Sequence, residues 1–242
     1  MYSSKDSFDS GLGSLPSRYW KDSQSNFDQF NSGLNSRRSS LSHGGISTNN
    51  IDADFLLSPP SEQEQHYEEY TKISFIFLYD GKFGIEIDKN GQKRMLKNIF
   101  DNDWTPLYLS MAESGIEIGE TAQFHHCDYP KHVIYDILKV IGKPFNEINM
   151  DPKWGFQVVE NNGITCFQLE TRNGKRMIPE EMVLAAFFKT MKARAETYLN
   201  EDVKEICLST NFKVTESQRN IFNKAAMKVN LEIKLFDFIN YQ

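Results

Sequence analysis

Lys72-Ile73-Ser74-Phe75-Ile76-Phe77-Leu78-Tyr79, then Asp80-Gly81, then Lys82-Phe83-Gly84-Ile85-Glu86-Ile87 is the stretch that decides the fold. Two apolar strings rich in β-branched and aromatic residues, joined at Asp-Gly, predict a β-hairpin. Lys89-Asn90-Gly91 is a second turn and opens a third short strand around Arg94–Ile99, giving an antiparallel meander. Pro106 turns Trp104–Leu109 into a loop that enters another strand, since the residue before a proline is biased away from helix. Thr121–Phe124 and Lys131–Gly142 show helical spacing, the second with Val133, Ile134, Ile137, Val140 and Ile141 on one face and a Gly142-Lys143-Pro144 stop. Gly155–Glu160 and Ile164–Leu169 form another hairpin across Asn161-Asn162-Gly163, and Asn173-Gly174 turns the chain again. A helix from Ile178-Pro179-Glu180-Glu181 to about Leu199 follows, with acids in its first turn where the helix dipole favours them. Val203–Ser209 is a strand, Thr215–Val229 a helix begun by a Thr215-x-x-Gln218 capping box, and Leu231–Phe238 a final strand. Three antiparallel strands extended by two that are reached through crossover helices make a mixed five-stranded α/β sheet with a small α+β piece inserted.

N-terminal to this body the text changes. Residues 1–69 hold 16 Ser and few aliphatic clusters to offset the entropy of ordering a backbone, so this stretch reads as a disordered tail with its boundary near Glu69–Lys72. The tail carries 5 Lys and Arg against 10 Asp and Glu, most of the net charge of −6. The body is therefore near neutral, with no basic stripe for phosphates, and nucleic acid is not an expected partner. The longest apolar string, Ile73–Tyr79, is far short of the roughly 18 residues of a membrane span, and no signal-peptide core is present. Cytosol or nucleus is the expected location. Cys127, Cys166 and Cys207 are odd in number and widely spaced, against a disulfide framework. His125, His126, Cys127 and His132 fit no tetrahedral metal pattern.

Four motifs run in order through the C-terminal part of the body: Ile141-Gly142-Lys143-Pro144-Phe145, Trp154-Gly155-Phe156-Gln157-Val158-Val159, Ile178-Pro179-Glu180-Glu181 and Ser217-Gln218-Arg219. Met191-Lys192 followed by Ala195-Glu196-Thr197-Tyr198-Leu199 lies between the last two, and Thr105-Pro106-Leu107-Tyr108 and Ile118-Gly119-Glu120-Thr121-Ala122 lie upstream. Together they resemble lobe I of the 70-kDa heat-shock chaperones, of the actin-like, ribonuclease H-like ATPase fold. The resemblance implies that 72–106 with 179–242 is the larger subdomain of that lobe and that 107–178 is the smaller one inserted into it.

It does not imply an intact active site. The family's first phosphate loop carries Asp and Gly-Thr-Thr for magnesium and phosphate; the candidates here, Leu78–Lys82 or Ile85–Asn90, lack the Gly-Thr-Thr. Leu138 stands where the catalytic lysine is expected, with Lys139 one position away, about 100° around a helix. Asn211 replaces the proline of the family's switch, although Arg219, its relay partner, is retained. Leu235 stands where an arginine used by J-domain cochaperones is expected, and the sequence stops before the second lobe of the nucleotide cleft.

The expectation is a non-enzymatic interaction or regulatory protein without a cofactor, using the lobe as a binding surface. Leu235, Phe236, Phe238 and Tyr241 are its expected contact, with a partner or a second copy. The rival reading is an ATP- and magnesium-binding chaperone relative acting in folding or stress. In the tail, Asp9-Ser10-Gly11-Leu12-Gly13-Ser14 is similar to the D-S-G-x-x-S phosphodegron read by an F-box ubiquitin-ligase adaptor. Ser39, Ser40 and Ser58 lie in kinase-type strings.

Overall fold

Residues 70–240 are described by the computed structural model. The tail readings at Asp9, Ser10, Gly11, Ser14, Ser39, Ser40 and Ser58 lie outside the described residues, as does Tyr241. β1 (Thr71–Leu78) and β2 (Lys82–Lys89) form the expected hairpin, in register from Thr71 opposite Lys89 to Leu78 opposite Lys82. Its turn has three residues, not two: Gly81 takes φ 83° and donates its N–H to Leu78 O at 3.0 Å. At the next turn Asn90 and Gly91 both have positive φ, the twist-matched geometry of a two-residue hairpin. β3 (Gln92–Met95) is shorter than the strand expected at 94–99. Asn98 explains the early end, since its Oδ1 accepts from the N–H of Phe100 and of Asn102 and closes a loop there. β4 (Thr105–Pro106) then pairs with β2.

The inserted subdomain begins with β5 (Leu109–Ser110) and β6 (Glu117–Ile118), followed by α1 (Glu120–Asp128) and β7 (Val133–Ile134). β8 (Gln157–Asn161), β9 (Ile164–Thr171) and β10 (Gly174–Pro179) complete it, so it holds two three-stranded sheets, β6-β5-β7 and β10-β9-β8. The helix expected over Lys131–Gly142 is not formed. Pro130–His132 is a 3₁₀ turn, Val133 and Ile134 extend to pair with Ser110 and Leu109, and Ile137–Lys139 is a second 3₁₀ turn entered through Asp136 at φ 56°. Val133, Ile134, Ile137, Val140 and Ile141 are all buried. A segment enclosed on several sides mimics a helical stripe, while β-branched residues favour the extended backbone and a left-handed residue breaks any α-helical register.

Pro179 caps α2 (Glu180–Leu199), which is followed by β11 (Glu205–Thr210), α3 (Glu216–Met227) and β12 (Glu232–Phe238). The capping box of α3 is present in both directions: Gln218 N–H donates to Thr215 Oγ1 and Thr215 N–H to Gln218 Oε1. β11 lies parallel to β1 and to β12, so the main sheet runs β12-β11-β1-β2-β3, with short β4 as a sixth strand beside β2. Phe75 and Phe77 of β1 meet Phe188 of α2 at 6.1 and 5.8 Å between ring centroids, and Phe77 meets Phe222 of α3 at 5.6 Å. Both long helices thus pack on one face of the sheet. Burial of these rings, each removing about 150–250 Å² from water, helps to hold the larger subdomain together.

Candidate functional site

Parallel strands in an open sheet present ligands with a crevice outside their carboxyl ends. Here those ends are Leu78 of β1 and Thr210 of β11, and they lie side by side, since Phe77 is paired with Thr210. The turn Tyr79-Asp80-Gly81 sits at this end. The other phosphate-loop candidate, Ile85–Asn90, occupies β2 and the turn to β3 at the opposite end, so only Leu78–Lys82 has the right place.

Two of the three backbone N–H groups of this turn are engaged within the chain. Tyr79 N–H donates to Asn211 Oδ1 at 2.8 Å, and Gly81 N–H goes to Leu78 O. Asp80 pairs with Lys82 at 2.7 Å, both half-exposed. Tyr79 also packs its ring on Phe212 at 5.9 Å, and Thr210 Oγ1 donates to Phe212 O at 2.8 Å. Asn211 therefore ties the end of β11 to the β1–β2 turn.

From the smaller subdomain comes the Asp136–Lys139 turn. Asp136 Oδ2 accepts from Lys139 Nζ at 2.7 Å and from Trp154 Nε1 at 3.3 Å. The Asp136 bond, with smaller help from Asp151 and Tyr79, raises the Lys139 pKa and keeps it charged. Leu138 is buried. The separation of Leu138 and Lys139 is not that of an α-helix, as expected from sequence, because this is a 3₁₀ turn; Lys139 is nonetheless committed to Asp136. Close by, Tyr108 and Tyr135 stack at 5.2 Å, and His126 sits edge-on to Tyr135 at 4.8 Å. Burial raises both tyrosine pKa values. His125 Nδ1 meets Ser110 Oγ at 2.9 Å and His132 sits edge-on to Tyr129, so three of the four residues weighed for a metal have partners of their own.

Where the two subdomains meet, sequence reasoning missed a residue. Glu180 is expected from the sequence only as a first-turn acid that the helix dipole favours. It is 7% exposed, and its Oε2 accepts from Gly142 N–H at 2.8 Å. Burial pushes its pKa up to about 7, against the lowering effects of Gly142 N–H and Lys224. No periodicity marks it, because position N1 of a helix projects inward only when a neighbouring segment covers it.

The Arg219 guanidinium lies over the Phe236 ring, 4.5 Å from the centroid, a cation–π contact. Phe236 also meets Phe222 at 6.4 Å, so it belongs to the helix-side core and is only partly open. Leu235 and Phe238 are 51% and 60% exposed on β12, an edge strand. Of the expected contact surface, two described residues are open and one is committed inward. No helix among the described residues is long and apolar enough to cross a membrane.

A mixed sheet with crossover helices on one face and an inserted subdomain at its carboxyl end is a lobe of the actin-like ATPase fold. Residues 84–235 match the family model described as Hsp70 protein, well over half of the chain, and the protein belongs to that family. Among curated relatives, a "Heat shock cognate HSP70 protein" of Trypanosoma brucei brucei is 24% identical over 64% of this chain and 25% of its own length. A "Heat shock 70 kDa protein BIP3" of Oryza sativa subsp. japonica is 28% identical over 62% of this chain and 23% of its own length. The chain thus spans about a quarter of the length of these relatives.

Proposed function

We propose that this HSP70-family chain is a non-enzymatic interaction protein that uses the lobe as a protein-binding scaffold and does not hydrolyse ATP. The observation that carries the reading is the turn at Tyr79–Gly81. A phosphate loop works by aiming unpaired backbone N–H groups at phosphate oxygens. Here Tyr79 N–H is bound by Asn211, Gly81 N–H closes the turn, and Asp80 is paired with Lys82. Leu138 and Lys139 point the same way, since one is apolar and buried and the other is held by Asp136.

In this reading the working surface is the free edge of β12, where Leu235 and Phe238 offer apolar side chains beside unpaired strand backbone. The partner is a protein, or a second copy of this chain. Abundance is set through the tail, by phosphorylation of Ser10 and Ser14 and capture by an F-box adaptor, in the cytosol or nucleus. Crosslinking pull-down with the full chain tests the surface: Leu235→Ser with Phe238→Ser should remove the crosslinked species. An unchanged crosslinking pattern in a folded double variant contradicts this use of the edge.

A further inference from the structure

The loop between β3 and β4 is tied by its own side chains. Asn98 Oδ1 accepts from the N–H of Phe100 at 2.9 Å and of Asn102 at 3.0 Å, and the N–H of Asn98 donates to Asn102 O at 2.8 Å. Asn98 Nδ2 donates to Glu120 Oε1 at 2.5 Å and to Thr105 Oγ1 at 3.1 Å, and Asn102 Nδ2 reaches the same Glu120 oxygen at 3.2 Å. The loop is thus fixed from inside and anchored on the first residue of α1. Its tip stays in water all the same: Ile99 is 88% and Phe100 52% exposed. Two large apolar side chains held out on an ordered loop lose little further freedom when a partner covers them. Lys97 and Asp101 flank the tip and pair with each other at 3.0 Å, both mostly in solvent.

We propose that this loop is a self-association site, on which a second copy of the chain docks across a two-fold axis at Ile99. The occupant follows from charge. Lys97 lies two residues before Ile99 and Asp101 two residues after it, so the apolar tip carries opposite charges at equal distance on its two sides. A two-fold axis at Ile99 sets the tip of one copy on the tip of the other and brings each Lys97 to the second copy's Asp101. Apolar surface then meets apolar surface and both charges meet their opposites, whereas a docking face of one charge sign suits only one flank. The ion pair that each loop makes with itself is exchanged for one between copies, which is close to neutral for exposed pairs. Burial of Ile99 and Phe100 is therefore the driving force. One such loop falls short of the roughly 800 Å² per side of a standard interface, so the dimer is weak and depends on concentration. The surface is separate from the β12 edge, since β3 and β12 are the two ends of the main sheet.

Sedimentation velocity of the full chain at low salt, from about 1 to about 200 µM, tests it. The native chain should show a concentration-dependent dimer, and Ile99→Ser with Phe100→Ser should stay monomeric with an unchanged melting temperature. Lys97→Glu alone and Asp101→Lys alone should each weaken self-association about tenfold or more, because one change sets like charges together at two symmetry-related contacts. Mixed in equal amounts, the two single variants should associate again, since the acidic flanks of one then face the basic flanks of the other. Leu235→Ser with Phe238→Ser should leave this dimer in place, so failure at the β12 edge and failure at the loop are read separately. A native chain that is monomeric throughout, single charge variants that self-associate like the native chain, or a mixture that does not associate overturns the loop interface. So does a dimer that only the β12 variant abolishes.

Discussion

Gly142→Ala isolates what the junction demands of one residue. Two penalties act there: an L-residue at φ 67° costs about 1 kcal/mol in the left-handed region, and the new methyl would stand 2.7 Å from backbone atoms of Gln218. Neither neighbour is a flexible side-chain end, so relief requires α3 or the turn to move, which costs about 1–3 kcal/mol more. The expected loss is about 2–4 kcal/mol. Gly163→Ala is the control, because Gly163 has φ 75° with nothing within 4 Å of its would-be Cβ, and only the conformational cost applies. Urea unfolding of both variants, followed by circular dichroism, gives the difference at constant m-value. Equal losses in the two variants would refute the close approach of the turn to α3.

Other consequences are simpler to state. Phe222→Ala, which removes a fully buried ring packed on Phe77, Phe188 and Phe236, should cost about 3–5 kcal/mol in the same assay; a loss under about 1 kcal/mol would contradict the ring cluster as the centre of the core. Because the Glu180 pKa is raised on folding, the folded chain holds its proton more tightly than the unfolded one between about pH 4.5 and 7. This group's contribution is present below that window and is lost as pH rises through it, up to about 3 kcal/mol, and Glu180→Gln should flatten the stability profile there. In a cycloheximide chase, Ser10→Ala with Ser14→Ala should lengthen the half-life, and equal half-lives in cells with active ligase would remove the degron reading.

Much of the fold was legible because its signals are local. Gly81, Asn90-Gly91 and Asn162-Gly163 take a positive φ that few other residues supply, and each marks a hairpin turn. Thr215 and Gln218 announce α3 by satisfying amides that no helix can satisfy internally. The failure at 131–142 was equally physical. Apolar periodicity reports which residues are buried, and where a short segment is enclosed all round it no longer reports a helical face. At the site, that Leu78–Lys82 holds no Gly-Thr-Thr and that position 138 is a leucine could be read directly. That Asn211 binds Tyr79 N–H across 132 residues, that Arg219 lies over Phe236, and that Glu180 faces Gly142 could not, since each depends on tertiary approach and leaves no spacing in the sequence.

The central claim is that the turn at the carboxyl end of β1 no longer receives nucleotide phosphates. Thermal unfolding of the full chain with and without millimolar Mg-ATP tests it most directly, because a ligand that binds only the folded state must raise the melting temperature as its concentration passes its dissociation constant. We predict no shift, in the native chain and in Asp80→Ala alike. A saturable rise in melting temperature that Asp80→Ala abolishes would contradict the account.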